Sequence, residues 1–130
     1  MTTDLAMLVA TAVLSLLLPV VYLIGRSSAP GGMAWGFGNR DTALAVPAWT
    51  ARAQRAHANL VENLAPFAIL VLVAELTHHT NATTALGAAL FFWGRVAHAA
   101  IYTAGIPYLR TAAFFVGTAG ELMILSQLWR

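Results

Sequence analysis

The chain has no cysteine and no lysine, and Asp, Glu and Arg together supply only 9% of its 130 residues. Without cysteine there is no disulfide framework, no thiolate metal site and no protein thiol nucleophile. Without lysine, every permanent cation is a guanidinium. Seven Arg against five Asp and Glu leave a formal charge of +2, too small a surplus for a nucleic-acid footprint, so no nucleic-acid partner is expected. A soluble domain carries about a quarter charged residues. Here 59% of residues are hydrophobic and the mean hydropathy is +0.72. That leaves too little polar surface to keep the chain in water, and the sequence reads as an all-α integral membrane protein.

A bilayer asks for roughly 20 apolar residues per helix, so the spans follow from the hydrophobic runs. The first is 5–24, read as a retained helix rather than a signal peptide because no basic residue precedes it. Residues 25–49, rich in Gly and with Trp35, Phe37, Trp49, Arg26 and Arg40 in or beside them, form a loop at the membrane surface. The apolar stretch 64–74 is too short to cross alone, so the second helix must begin in the polar stretch before it and run 50–77. A turn at 78–83 leads to a third helix at 84–103. Pro107, suited to a first helical turn, opens a fourth at 107–129. One membrane domain, 1–130, built as a four-helix up-and-down bundle, is expected.

The loop 25–49 and its flanks hold Arg26, Arg40 and Arg52, and Arg110 adjoins the second reversal. The opposite side offers Asp4, His78, His79 and Arg130. This bias places the Arg-rich loops in the cytoplasm and both termini outside.

Ionisable groups inside a span cost about 2.5–3.5 kcal/mol each at mid-depth on insertion scales, so each needs a reason. Arg52, Arg55, Asn59 and Glu62 share an arc of roughly 80° on the second helix, and Arg95, His98 and Tyr102 an arc of roughly 60° on the third. The fourth helix opens with Arg110 and Thr111, where unpaired amides favour an anion. Up-and-down topology brings all three groups to one end of the bundle. Guanidiniums beside a carboxylate, an amide, an imidazole and a phenol suit a small zwitterion carrying more than one carboxylate. Pro66 adds a carbonyl at Glu62 freed of its helical partner. The alternative is structural: Arg55 with Glu62, and Arg95 with the same carboxylate, as ion pairs fixing helix register.

Other polar residues carry less. Glu121, on the Arg110 face of the fourth helix, is read as a buried pair or as lying near a polar axis. Glu75, His78 and His79 are solvated boundary residues, and no metal site is expected. His57 points away from the stripe, as an interhelical hydrogen-bonder. Gly117 and Gly120 suit close helix packing. The triplet Asn81-Ala82-Thr83 matches a glycosylation acceptor, a pattern common by chance.

Arg55-Ala56-His57-Ala58-Asn59-Leu60-Val61-Glu62-Asn63 followed by Pro66-Phe67 resembles the signature of the MAPEG family, membrane-associated proteins in eicosanoid and glutathione metabolism. Gly94-Arg95-Val96-Ala97-His98, with Tyr102, is similar to the third helix of its microsomal glutathione transferase and prostaglandin E synthase branch. Arg110-Thr111 matches the start of the family's fourth helix. The resemblance covers nearly the whole chain.

It implies a homotrimer with a glutathione site between subunits, on the cytoplasmic side of what is expected to be a bacterial inner membrane. By motif, Arg55, His57, Asn59, Glu62, His98 and Tyr102 bind glutathione as cosubstrate, with His57 reaching it across a subunit boundary. Arg110, with Thr111, stabilises the thiolate. Arg52 and Arg95 support the site as structural ion pairs, that of Arg95 buried. The partner substrate is a hydrophobic or lipid electrophile from the bilayer. Two departures stand out: Phe114 replaces a Tyr of the prostaglandin synthase branch, and the Gly-rich first loop differs from that of the better-known eukaryotic members. The leading reading is a glutathione-dependent transferase or peroxidase. The alternatives are a non-catalytic binding member of the family and a small proton-coupled multidrug exporter. The exporter would call for a carboxylate within the first helix, and residues 5–24 contain none.

Overall fold

A computed structural model describes residues 1–129; Arg130, weighed above for orientation, lies outside the described residues. The chain forms α1 (Thr3–Ser27), α2 (Gly32–Phe37), α3 (Ala48–Leu76), α4 (Ala82–Ala104) and α5 (Pro107–Gln127). All but α2 are long and apolar enough to cross a membrane. Membrane-spanning length and composition in four helices make this an integral membrane protein.

The ends of the helices show why the boundaries fall where they do. Asn81 starts α4 with a capping box, its side chain accepting from the amides of Thr83 and Thr84 while Thr84 returns a bond to the Asn81 amide. That reciprocal cap draws Ala82 and Thr83 out of the expected turn and into the helix. Gly105 closes α4 at φ 88°, a left-handed conformation that glycine adopts without a Cβ penalty. Pro107 then opens α5. At the N-terminus, Thr2 caps α1 by accepting from the Leu5 amide, which takes Asp4 into the first turn, where it is buried. The expected surface loop is ordered further than its composition suggests, because α2 forms inside it.

Contacts at the helix ends fix the up-and-down arrangement. Where α1 ends and α3 begins, Arg26 Nη2 donates to Gln54 Oε1 at 2.7 Å. Where α3 begins and α4 ends, Arg52 Nε donates to the Thr103 carbonyl at 3.0 Å. At the other end of the bundle, Thr2 donates to Glu75 and Asn81 Nδ2 donates to Gln127 Oε1 at 3.1 Å. α5 packs chiefly against α4, and α1 against α3 and α4.

Two materials occupy the two ends. Phe67, Val71 and Ala74 of α3 meet Ala88 and Phe91 of α4 and Ile124 of α5 in a fully buried cluster, with Leu5, Met7 and Leu8 of α1 packed on it. The Phe67 and Phe91 rings stack with centroids 3.9 Å apart. Between α4 and α5 the backbones themselves touch: a Cβ on Gly87 would lie 2.6 Å from the Gly120 carbonyl, and one on Gly94 would lie 2.8 Å from the Gly117 amide. In lipid, where apolar side chains gain little by leaving one solvent for another, such close van der Waals contact is a main source of helix association. The opposite end, where α1 stops and α3 starts, is where the polar side chains gather.

Candidate functional site

Arg55, Ala58, Asn59 and Glu62 of α3, His98 and Tyr102 of α4 and Arg110 of α5 line a single cavity of about 250 Å³. Six of these seven were expected from the sequence. Ala58 was not; it lies between Arg55 and Glu62 on the same face of α3, and its signal is its smallness, which leaves room. The helical period makes the α3 stripe, the reversal at Gly105 brings Arg110 back beside Tyr102, and the antiparallel run of α3 against α4 sets the two stripes facing.

Tyr102 organises the cations. Arg55 Nε donates to its hydroxyl at 3.1 Å, and the Arg110 guanidinium sits over its ring, 4.4 Å from the centroid. One phenol thus holds two guanidiniums at one cavity, an arrangement that stores attraction for an anion. His98 stacks on Tyr102 at 5.5 Å and is itself buried. Glu62 supplies the lone carboxylate in the lining. The α3 wall is open, since Arg55, Ala58 and Glu62 are all exposed.

Behind the cavity Arg95 is 1% exposed, with its guanidinium between the rings of Phe91 and Phe114 at 4.9 and 4.8 Å. Its Nη1 donates to Asn59 Oδ1 at 2.9 Å. The partner is therefore an amide on the cavity wall where a carboxylate was expected. Nε and Nη2 of Arg95 and Oε1 of Glu121 are buried without partners. Arg52 likewise finds a backbone carbonyl rather than an acid, and it leaves the α3 stripe to brace the end of α4.

Two expected site residues lie apart from the cavity within this chain. His57 Nδ1 is 3.3 Å from the Tyr22 hydroxyl, tying α3 to α1 as an interhelical hydrogen bond. Thr111 is exposed, and its hydroxyl donates to the Pro107 carbonyl at 3.4 Å. The Tyr22–His57 and Arg26–Gln54 pairs had no signature in the sequence, because no motif or helical stripe links the end of α1 to the start of α3. The described residues contain no cluster of His, Asp and Glu that could hold a metal.

Four helices of membrane-spanning length with a cation-rich polar cavity at one end define the class: a helical integral membrane protein. The chain belongs to the MAPEG family, whose sequence pattern it matches over residues 5–128. Membership places it, at the level of the family, among membrane proteins of glutathione and eicosanoid metabolism. No individual curated protein matches the chain.

Proposed function

We propose that this protein is a membrane glutathione-dependent transferase or peroxidase, and that the cavity between α3, α4 and α5 receives the tripeptide. The observation that carries the reading is the convergence of Arg55, Asn59, Glu62, His98, Tyr102 and Arg110 on one cavity. Glutathione has two carboxylates, an ammonium and a thiol. Arg55 would hold a carboxylate, Glu62 the ammonium, and Arg110 the sulfur. A free thiol with a pKa of about 8.5 is mostly protonated at neutral pH, and an adjacent guanidinium at a helix N-terminus favours its thiolate. The thiolate then forms a C–S bond to a hydrophobic electrophile from the lipid and expels its leaving group, such as halide. With a peroxide it breaks the O–O bond to give the alcohol and a glutathione sulfenic acid, which a second glutathione converts to the disulfide and water.

The open α3 wall supports a homotrimer in which a neighbouring subunit closes the site. In that assembly His57 reaches a neighbour's ligand. The Arg bias of the loops supports a cytoplasmic face, and a bacterial inner membrane is the proposed location. A member of the family that binds without turnover is the second reading, favoured by the position of the Thr111 hydroxyl outside the cavity.

The test is titration of the purified protein with glutathione, reading binding by calorimetry and thiolate by ultraviolet absorbance at neutral pH. Saturable binding with thiolate absorbance is expected. No binding at millimolar glutathione overturns the reading, and binding without thiolate selects the second one.

A further inference from the structure

A second and larger cavity, about 390 Å³, lies between the last turns of α1 and the short helix α2. Its volume is in the range of roughly 300–1,000 Å³ typical of small-molecule sites. It shares no lining residue with the cavity of Arg55 and Arg110. Its walls are apolar, from Val20, Leu23 and Ile24 on α1 and Met33 and Phe37 on α2. Two guanidiniums, Arg26 and Arg40, join Ser27, Trp35 and two glycines in the lining, and no carboxylate is part of it.

The groove is built rather than left over. α2 rests against the end of α1 at Gly32, where any side chain would run into the Arg26 carbonyl. Trp35 Nε1 donates to the Thr42 carbonyl at 2.5 Å, tying the following loop back to the helix. The Trp35 ring then carries both cations: Arg26 and Arg40 each lie 5.3 Å from its centroid. Arg40 takes φ 61°, a left-handed backbone uncommon for a residue other than glycine. The turn lets its Nε and Nη2 donate to the Gly36 carbonyl, so the side chain folds back over the groove. Arg26 is steadied from the other side by Gln54. Both guanidiniums keep further N–H groups for a ligand oxygen.

The geometry points to a binding site for one anionic phospholipid, its phosphodiester between Arg26 and Arg40 and the start of an acyl chain along Val20, Leu23 and Met33. Three features together select this occupant. The cations have no acid in the lining to neutralise them, the apolar wall runs from them along a membrane-spanning helix, and the groove sits where that helix leaves the membrane. A zwitterionic lipid would bring a cationic group against the same two guanidiniums and be disfavoured.

The test uses the full-length protein, delipidated in neutral detergent and given equal amounts of phosphatidylglycerol and phosphatidylcholine with identical acyl chains. Retained lipid is counted by native mass spectrometry. A preference of roughly tenfold for phosphatidylglycerol is expected from two cations at the headgroup. Arg40→Gln, which removes a cation, and Met33→Glu, which adds an opposing charge, should each bring the ratio toward parity. Both positions are exposed, so neither variant opens the core. Glutathione affinity should be unchanged in both, which separates this site from the other. Equal retention of the two lipids by the unaltered protein, or an undiminished preference in both variants, overturns the assignment. Oleate is the third arm: displacement of phosphatidylglycerol by an equal concentration of oleate would identify a fatty-acid carboxylate as the occupant and overturn the phospholipid, whereas failure to displace it supports the phosphodiester.

Discussion

Arg95 on α4 donates from Nη1 to the side-chain oxygen of Asn59 on α3 across 2.9 Å. A guanidinium has donors only, so this bond decides which way the amide faces: Oδ1 is committed to Arg95 and Nδ2 is left for the cavity. In the proposed glutathione site Asn59 therefore offers its Nδ2 donor to an acceptor of the ligand. A peptide carbonyl or a carboxylate is such an acceptor, and an ammonium is not.

Replacing Asn59 with Asp keeps an acceptor for Arg95 and removes the donor from the cavity wall. Glutathione affinity should fall roughly tenfold or more while thermal stability is maintained or raised, because loss of one hydrogen bond to a charged ligand group is worth about 1.5–3 kcal/mol. Calorimetric titration together with a melting curve in detergent reads both quantities. Unchanged affinity in Asn59→Asp would show that the amide does not face the ligand.

Arg95→Ala should behave in the opposite sense. It empties the slot between Phe91 and Phe114 and leaves Asn59 Oδ1 without its donor. A loss of about 2–4 kcal/mol of stability is expected from cavity and hydrogen-bond terms combined. The midpoint of thermal unfolding is the measurement, and a midpoint within error of the parent would refute the bracing role.

Arg110→Ala removes the guanidinium over Tyr102 at a point remote from the buried cluster. Glutathione should still bind, but the thiolate absorbance at neutral pH should vanish and conjugation of an aryl halide should drop about 10²–10³-fold. The elution volume on size-exclusion chromatography should not change. Equal turnover in the variant would place thiolate stabilisation elsewhere. Arg52→Ala is the matching control: it breaks the bond to the Thr103 carbonyl, outside the cavity lining, and should lower the melting temperature without altering thiolate absorbance.

Much of this architecture is legible in the sequence because lipid imposes simple demands. Apolar runs of spanning length, a Pro at the start of α5 and a Gly at the reversal before it set the four spans to within a few residues. The stripes on α3 and α4 are legible for the same reason, since a costly polar residue in a span must share a face with others. What stayed hidden depends on packing in the third dimension. Arg95 found an amide and two aromatic rings where charge arithmetic suggested a carboxylate, and Arg52 turned from the stripe to a carbonyl. The α2 helix was invisible because six residues including two glycines carry no periodic pattern. The capping box at Asn81 was present in the sequence, hidden by its overlap with a glycosylation-like triplet.

Gly94→Val tests the glycine contact between α4 and α5. With the added Cβ only 2.8 Å from the Gly117 amide, the helices must separate, at a cost of about 1–3 kcal/mol typical of overpacking. Because Arg95 is the next residue and Arg110 lies on the displaced helix, glutathione affinity should fall along with the melting temperature. A stable variant with normal affinity would show that the pair can move apart freely.

That glycine seam has a mechanical meaning. Backbones in contact along two turns resist sliding and spreading, which favours motion of α4 and α5 as one unit carrying His98, Tyr102 and Arg110 together. Under the proposed function, the widening that admits glutathione or releases a product falls to α3. There Pro66 gives the Glu62 carbonyl no helical amide to hold, and the rung of the ladder missing beside the cavity's one carboxylate is the natural place for the wall to yield.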